Sequence, residues 1–270
     1  MNRQQLISQI RQKQNYLCIG LDTDIEKIPR YLLDSDDPVF AFNKAIIDTT
    51  KEFCISYKIN IAFYEAMGLK GWESLQKTVR YIPKTHFTIA DAKRGDIGNT
   101  SAQYAKAFFE VYDFDAITVA PYMGEDSLRP FLEYKDKWTI VLSLTSNKGS
   151  EDFEQLQLQN GQFLYQEVMT KTASWGTTDN LMFVIGATKA EQLNTIRKLF
   201  PQHFFLVPGV GAQGGSLQDV SKAALTREGG LLINVSRAVI YASNGEDFAA
   251  AAGIAAKKYA DEMRELMAAM

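Results

Sequence analysis

Eight short apolar segments, separated by longer amphipathic ones, are the feature that most limits what this chain can fold into. The segments are rich in Val, Ile, Phe and Thr and show no regular alternation of apolar and polar residues, which is typical of strands covered on both faces. They span residues 16–22, 54–60, 86–91, 115–120, 139–144, 181–186, 203–207 and 231–235. Eight strands that alternate with helices predict an α/β fold, a (β/α)8 barrel with residues 1–14 as an extra N-terminal helix. An open doubly wound sheet, which usually has fewer strands, is the lesser alternative.

Helical patterns lie between these strands. One covers residues 38–52 and opens with a proline, which suits a first helical turn. Another covers 100–112, where Thr100 and Gln103 have the spacing of a capping box, in which each residue would satisfy a backbone donor of the other. Further helices are predicted at 160–174, 189–200, 216–227 and 246–268. No repeat, low-complexity segment or linker divides the chain, so we expect one domain over residues 1–270.

Composition narrows the classes of function. Among 270 residues, 29 Lys and Arg against 32 Asp and Glu give a net charge of −3, which argues against broad nucleic-acid binding but allows a local anion-binding pocket. Cys18 and Cys54 lie in apolar segments and are expected to be free core thiols in a reducing compartment. No segment approaches the roughly 18 apolar residues of a membrane-spanning helix, and the first residues lack a signal-peptide pattern. We therefore expect a cytoplasmic protein that binds neither nucleic acid nor membranes.

Five charged residues fall at or near the ends of the first three predicted strands. Asp22 closes the first strand and Lys58 interrupts the second, while Asp91, Lys93 and Asp96 end or follow the third. Because the carboxyl ends of barrel strands carry the active site, these side chains are candidates for one functional cluster. Asp91 and Lys93 are two apart in an extended segment and would point to the same side. A solvated surface pair is the alternative for any one such pair, but isolated charges in buried strands are costly and usually paired.

The predicted cluster combines three carboxylates with two ammonium groups. Flanking carboxylates keep a lysine protonated. A protonated lysine stabilises negative charge that develops on a substrate and can then donate a proton, whereas a Schiff-base lysine must be neutral. An acidic cluster could also hold Mg²⁺, but two interleaved lysines compete with a cation. The pattern therefore indicates electrostatic and acid catalysis by lysine.

A glycine-rich loop after the seventh strand is the second signal. Residues 208–215 read PGVGAQGG and precede a predicted helix, so their backbone amides can converge on a phosphate. The eighth strand is followed by Ser236 and Arg237, and a guanidinium suits phosphate oxygens. Phosphate sites in this fold are frequent at these two loops. Glycines at a helix start are often only turns, but beside Arg237 we favour phosphate binding.

The remaining polar signals are weaker. Residues 145–149 (TSNKG) follow the fifth strand and could bind the amide edge of a heterocycle, although a plain turn explains them nearly as well. His86 and His203, the only histidines, begin their strands and so lie at the end opposite the site. No Gly-x-Gly-x-x-Gly follows the first strand. Histidine catalysis, a multi-histidine metal centre and a nicotinamide cofactor are thus not indicated.

Taken together, these motifs resemble those of the orotidine 5′-phosphate decarboxylase family, which catalyses the last step of UMP biosynthesis. The resemblance covers essentially the whole chain and rests on Asp22, Lys58, the run DAKRGDIGNT at 91–100, the loop at 208–215, and Ser236 with Arg237. The D-x-K-x-x-D element is shared with a wider suprafamily that includes 3-keto-L-gulonate 6-phosphate decarboxylase and hexulose-phosphate synthase. Those relatives use Mg²⁺ and carry an acidic residue where Lys58 stands, which makes Lys58 the most discriminating residue.

The resemblance implies a role for each matched residue. Lys93 would protonate C6 of the pyrimidine, Asp91 would lie near the substrate carboxylate, and neither cofactor nor metal would be needed. Asp22 and Lys58 would contact the ribose hydroxyls, and Lys58 would also belong to the charge network. The other implied contacts are Ser146 with the pyrimidine edge, and Gln213, Gly215, Ser236 and Arg237 with the 5′-phosphate.

A homodimer is implied by the same resemblance, because Asp96 and Thr100 would reach into the partner subunit's site. The predicted lid segment at 148–180 is longer than in compact family members, and Lys148 stands where a proline is often found. Two alternatives to the decarboxylase stay open. One is a Mg²⁺-dependent sugar-phosphate decarboxylase or aldolase on the same barrel, and the other is a catalytically silent barrel that binds a nucleotide phosphate.

Overall fold

The computed structural model describes residues 1–211 and 214–270 of the chain. Eight parallel strands form a closed barrel, in which each strand pairs with the next along the chain and β1 pairs with β8. The strands are β1 (Leu17–Gly20), β2 (Ser56–Asn60), β3 (Phe87–Arg94), β4 (Ala116–Val119), β5 (Trp138–Leu144), β6 (Leu181–Ile185), β7 (Phe204–Pro208) and β8 (Leu231–Val235). The predicted (β/α)8 barrel is confirmed, and the open doubly wound sheet is wrong.

Helices connect the strands. They are α1 (Arg3–Lys13), α2 (Pro38–Thr50), α3 (Ile61–Glu65), α4 (Leu69–Tyr81), α5 (Gly98–Lys106), α6 (Glu125–Leu132), α7 (Leu164–Trp175), α8 (Ala190–Leu199), α9 (Leu217–Ala224), α10 (Arg237–Ile240) and α11 (Phe248–Ala268). Short 3₁₀ turns at Arg30–Asp34 and Lys148–Glu151 and a π-helical turn at Ala107–Val111 add to these. The sequence patterns predict no bounds for α4 and α6, which contain Gly71 and Pro130, residues that disfavour a helix interior.

The extra N-terminal helix is confirmed, and it packs against the amino-terminal end of the barrel. Leu6, Ile7 and Ile10 on α1 are buried. These side chains join an apolar cluster with residues in or next to the strands, among them Cys18, Ile55, Phe87, Trp138 and Phe204. A larger cluster unites the other face of the strands with the surrounding helices. The charged residues Asp22, Lys58, Asp91 and Lys93 lie at the opposite, carboxyl end, because each falls near the last residue of its strand or just after it.

The capping box predicted around Thr100 is wrong. Helix α5 begins at Gly98, with Ile97 in the N-cap position and no side-chain cap. The backbone N–H groups of Thr100 and Ser101 already donate to the Ile97 carbonyl, at 3.2 and 3.4 Å, so Thr100 lies inside the first turn. The α-helix then ends after 9 residues, because the chain continues as the π-helical turn.

Strand β3 is longer than predicted and irregular near its end. Its pairing with β4 shifts register between Ala90 and Arg94. Within this shift Lys93 takes a φ of +49°, in the left-handed region that non-glycine residues seldom adopt. The regular extended geometry predicted for residues 91–93 is therefore wrong at Lys93, and the approach of Asp91 to Lys93 depends on an irregularity of the strand rather than on simple alternation.

Both cysteines are buried free thiols, as predicted. Cys18 lies in β1 and Cys54 precedes β2. Burial raises the pKa of each thiol to about 12, so neither is reactive at neutral pH. Within the described ranges, no helix is both long and apolar enough to cross a membrane.

Candidate active site

Four of the five predicted charged residues form an ion-pair network at the carboxyl ends of β1, β2 and β3. Lys58 lies in β2, Asp91 and Lys93 lie in β3, and Asp22 follows β1. Lys58 Nζ is 3.3 Å from Asp22 Oδ1 and 2.9 Å from Asp91 Oδ2. Lys93 Nζ is 2.6 Å from Asp91 Oδ1. Positive and negative groups thus alternate along the network.

Lys58 is the buried member of this network, with 4% of the residue exposed. Burial by itself would lower the pKa of Lys58, because it favours the neutral amine. The carboxylates of Asp22 and Asp91 outweigh that effect and raise the pKa well above its usual value. Lys58 is therefore a fixed positive charge and a poor proton donor at neutral pH.

Asp91 lies at the centre of the network and accepts hydrogen bonds from three side chains. Its Oδ2 accepts from Lys58 Nζ, and its Oδ1 accepts from Lys93 Nζ and from Thr118 Oγ1, the last at 3.0 Å. Burial alone would raise the pKa of Asp91, but Lys58 and Lys93 outweigh it and hold that pKa well below its usual range. Thr118 was not predicted, and the available signal was a hydroxyl inside the otherwise apolar strand β4.

Lys93 differs from Lys58 in its surroundings. Half of its side chain (50%) is exposed, and Asp91 is its ion-pair partner among the described residues. An ammonium group has three N–H donors, so Lys93 keeps donors for a bound molecule after it has paired with Asp91. Of the two lysines, Lys93 is thus the one whose ammonium group is accessible from outside the network.

A cavity of about 190 Å³ brings this network together with the glycine-rich loop. Its lining comprises Asp22, Lys58, Asn60, Asp91, Pro208, Gly209, Val210, Asn234, Ser236 and Arg237. Asp22, Lys58 and Asp91 of the network and residues 208–210 of the glycine-rich loop, which are distant in the sequence, therefore border the same space. Asn60 and Asn234 were not predicted, although each is a polar residue at or near the carboxyl end of an apolar strand.

The glycine-rich loop folds back on itself through backbone hydrogen bonds. Gly215 N donates to Gly209 O and Gly211 N donates to Gly215 O, both at 3.1 Å. Gly209 has a φ of +100°, which a side chain would strain. The N–H of Gly215 is thus engaged within the loop in this conformation. Gln213 lies outside the described residues, so its contact with a phosphate stays a prediction.

Ser236 and Arg237 follow β8 and border the same cavity, where the sequence places them. Ser236 Oγ donates to the Gly20 carbonyl at 3.0 Å and so ties the end of β8 to β1. The Arg237 side chain is exposed, and it also lines a neighbouring cavity of about 940 Å³ beside residues 26–31. A guanidinium in this position can present paired donors to an anion inside the smaller cavity.

Five predicted site residues are not among those that line the cavity, namely Lys93, Asp96, Thr100, Ser146 and Gly215. Lys93 nevertheless contacts the lining through its ion pair with Asp91. Asp96 accepts from the Ile97 N–H at 2.7 Å, and no ion pair joins it to the network within the described chain. Thr100 is exposed on α5. Ser146 Oγ is buried without a hydrogen-bond partner among the described residues, and it packs so close to Gly186 that a Cβ there would approach it to 2.3 Å. A buried hydroxyl with no partner is one that a ligand can satisfy.

The two histidines lie at the amino-terminal ends of their strands, away from the network, as predicted. His86 precedes β3 with its Nε2 2.7 Å from the Lys51 carbonyl, and His203 precedes β7. Burial lowers the pKa of each imidazole to about 4, so both are neutral at physiological pH. In residues 1–211 and 214–270, no group of three or more His, Cys, Asp or Glu side chains is arranged to hold a metal ion.

Comparisons with known proteins agree with this geometry. A family model described as the Orotidine 5′-phosphate decarboxylase / HUMPS family matches residues 15–252. The Phocaeicola vulgatus protein named orotidine 5′-phosphate decarboxylase is 55% identical over 270 residues, 99% of each chain. The solved structure of Leishmania donovani OMP decarboxylase is 36% identical over 100% of both chains, with a TM-score of 0.86. The chain covers only 56% of the solved Leishmania donovani UMP synthase, at 37% identity and a TM-score of 0.86. The chain belongs to the orotidine 5′-phosphate decarboxylase family.

Proposed function

We propose that this protein decarboxylates orotidine 5′-phosphate to UMP and CO₂, the final step of de novo pyrimidine nucleotide biosynthesis. One observation carries the proposal: a single cavity joins Asp22, Lys58 and Asp91, the last of which holds Lys93, to Arg237 and the glycine-rich loop. The substrate has matching groups, with a reacting base and ribose hydroxyls at one end and a phosphate at the other. The full-length relatives that bear this name support the same reaction.

The chemistry that the network supports is carbanion stabilisation followed by proton transfer. The bond between C6 and the carboxylate breaks, CO₂ departs, and the electron pair stays on C6. The ammonium group of Lys93 stabilises this charge and then gives one proton to C6, which forms UMP. The resulting amine takes a proton back from solvent. Asp91 directs this step by holding Lys93 Nζ through its Oδ1 at 2.6 Å.

The other residues have binding roles in this proposal. Asp22 and Lys58, which line the cavity, would contact the ribose hydroxyls. Arg237, together with Ser236, Gly215 and Gln213, would hold the 5′-phosphate. Ser146, whose buried hydroxyl has no partner in the described chain, would bind the edge of the pyrimidine. Binding energy from the distant phosphate would then help to order the site around the reacting carbon.

Absorbance near the orotate band, followed after mixing purified protein with orotidine 5′-phosphate, tests the proposal. We expect a rapid loss of signal with UMP as product, at the same rate with and without EDTA. Inactivation by EDTA would favour the Mg²⁺-dependent sugar-phosphate enzyme. The position of Lys58 between Asp22 and Asp91 argues against that alternative, because it neutralises carboxylates that a cation would need. Binding of UMP without turnover would indicate the silent barrel.

The proposal includes a homodimer in which Asp96 and Thr100 complete the partner's site. Both residues lie outside the cavity of their own chain. The loops after β3 and β4 begin side by side, where Ala120 N donates to the Arg94 carbonyl, and they expose Ile97 and Tyr122, with 56% and 88% of each exposed. Exposed apolar surface of this kind is typical of an interaction site. A second copy of the chain would cover it and bring Asp96 towards the opposite network.

Mixing two inactive variants tests this shared site. Lys93→Ala and Asp96→Ala should each be inactive alone, but a hybrid dimer would contain one site with both native residues. After random exchange of subunits, about a quarter of the wild-type activity should return. Mixing Lys93→Ala with Asp91→Asn is the matched control. Lys93 and Asp91 belong to the same chain's network, so each site of that hybrid dimer still carries one of the two substitutions, and no native site forms. Equal activity in the two mixtures, or none in either, would contradict the shared site.

We also propose a cytoplasmic location. The support is that Cys18 and Cys54 are free thiols, buried where oxidation would disturb the core. Such thiols are usual in a reducing compartment. Cell fractionation with detection of the protein in the soluble cytosolic fraction is the measurement that checks it.

A further inference from the structure

A buried hydroxyl in β4 connects the two residues that the mechanism depends on most. Thr118 is only 1% exposed. Its Oγ1 donates to Asp91 Oδ1 at 3.0 Å and accepts from the backbone N–H of Lys93, also at 3.0 Å. One hydroxyl therefore contacts both members of the proposed catalytic pair, although it does not line the cavity.

The register between β3 and β4 explains why a hydroxyl is needed at this point. Ala90 pairs with Ile117, and Arg94 pairs with Val119. Three residues of β3, Asp91 to Lys93, thus face a single residue of β4, which is Thr118. The regular ladder is interrupted here and resumes where Ala120 N donates to the Arg94 carbonyl at 2.8 Å. Backbone groups inside such an interruption need other partners, because an unpaired buried N–H is costly.

The Thr118 hydroxyl supplies that partner for the most strained residue of the segment. Lys93 has a φ of +49°, a conformation that persists only where its surroundings hold it. The bond from Lys93 N to Thr118 Oγ1 holds the backbone, while the bond from Thr118 to Asp91 Oδ1 holds the carboxylate that binds Lys93 Nζ. Only a side chain that can both donate and accept a hydrogen bond, such as a hydroxyl, can make these two bonds at one atom.

We propose that Thr118 is a positioning residue, which sets the Lys93 ammonium against the substrate by holding its backbone and its carboxylate partner together. The inference rests on the proposed role of Lys93 and extends it to a buried residue that acts through Lys93 and Asp91. A misplacement of about 1 Å at a reacting group is enough to reduce turnover about 100-fold. The effect should therefore fall on kcat and leave phosphate-driven binding almost unchanged.

The test compares Thr118→Val, which keeps the shape and removes the hydroxyl, with Thr118→Ser, which keeps it. We expect Thr118→Val to lower kcat about 10- to 100-fold, with KM and the Kd for UMP within about twofold, and Thr118→Ser to recover most of the loss. Thr139→Val is the matched control, since Thr139 is a fully buried threonine on the adjacent strand whose Oγ1 has no partner among the described residues. That variant should keep wild-type kcat.

A second measurement isolates the proton transfer. Exchange of the C6 hydrogen of UMP in D₂O, followed by proton NMR, requires Lys93 to move a proton but no loss of CO₂. Exchange should fall with kcat in Thr118→Val and return in Thr118→Ser. If Thr118→Val does not fold, Thr118→Ala replaces it in the same comparison.

The outcomes separate this inference from the proposed function. An inactive Lys93→Ala together with wild-type kcat and exchange in Thr118→Val would overturn the role of Thr118 alone. A rise in KM with unchanged kcat would also overturn it, because it would point to binding rather than positioning. Activity in Lys93→Ala would instead remove the role of Lys93 on which the inference rests.

Discussion

Replacing Lys93 by alanine is expected to reduce decarboxylation by at least about 10⁴-fold while UMP still binds. The large effect follows because one group supplies both the charge that stabilises C6 and the proton that quenches it. The fold should survive, since Asp91 keeps its hydrogen bonds from Lys58 and Thr118. Steady-state rates, together with titration of UMP binding by calorimetry, check the two halves of the result.

Two further variants sharpen this test. Lys93→Arg keeps a positive charge near Asp91, but a guanidinium does not give up a proton at neutral pH. It should bind UMP as Lys93→Ala does and likewise lack turnover. Lys84→Ala is the control for loss of a lysine, because the Lys84 side chain is 78% exposed and pairs with Asp113 outside the network. Decarboxylation at a near-normal rate in Lys93→Ala would show that another group protonates C6.

Replacing Lys58 by methionine is expected to have the largest effect on stability. Methionine has a similar length but leaves Asp22 and Asp91 without the charge that lies between them. Loss of one partner of a buried pair usually costs about 3–5 kcal/mol of the free energy of unfolding. We expect a loss near the lower value, because Lys93 and Thr118 still bind Asp91. Urea unfolding at neutral pH measures it.

Lys84→Met is the matched control for this substitution. Lys84 Nζ lies 2.9 Å from Asp113 Oδ2, but both side chains are largely exposed. Surface pairs of this kind contribute less than about 1 kcal/mol, so the control should unfold almost as the wild type does. A similar loss in the free energy of unfolding in both variants would mean that burial does not make the Lys58 ion pairs more important for stability than a surface pair.

The stability difference should also depend on pH in a defined direction. The pKa of Asp91 is lowered in the folded protein, so its contribution to stability is complete above the unfolded-state pKa of about 3.9 and is lost as pH falls through the folded value. Lys58→Met removes part of that contribution. Wild type and variant should therefore differ most near neutral pH and converge in acid. A difference that stays constant down to pH 2 would contradict the assignment to Asp91.

Much of the barrel could be predicted because its strands are buried on both faces. That burial requires continuous apolar segments, and their number and spacing indicate the fold. Two of the helices that the sequence did not predict, α4 and α6, contain Gly71 and Pro130, which packing tolerates although local propensity does not favour them. The prediction of a capping box at Thr100 was wrong because the first helical turn begins earlier, at Ile97.

The charged side chains of the site were visible in the sequence for a similar reason. Lys58 lies in a buried strand, and Asp91 and Lys93 lie at a strand end. Burying such charges costs free energy unless they pair with one another or with a ligand. Thr118, Asn60 and Asn234 carried no such signal, because a neutral polar residue in a strand is common. Their importance depends on which strand lies beside which, and on where the register shifts.

By itself, the sequence determined the eight-stranded barrel, the carboxyl-end cluster of Asp22, Lys58, Asp91 and Lys93, and the family to which these motifs belong. Only the tertiary structure decided how the cluster is held together. The left-handed backbone at Lys93, the register shift in β3 and the hydroxyl of Thr118 that spans it arise between strands. A buried segment shows its burial in its own apolar residues, so the strands can be predicted one at a time. A hydrogen bond between two strands depends on how the two strands are placed relative to each other.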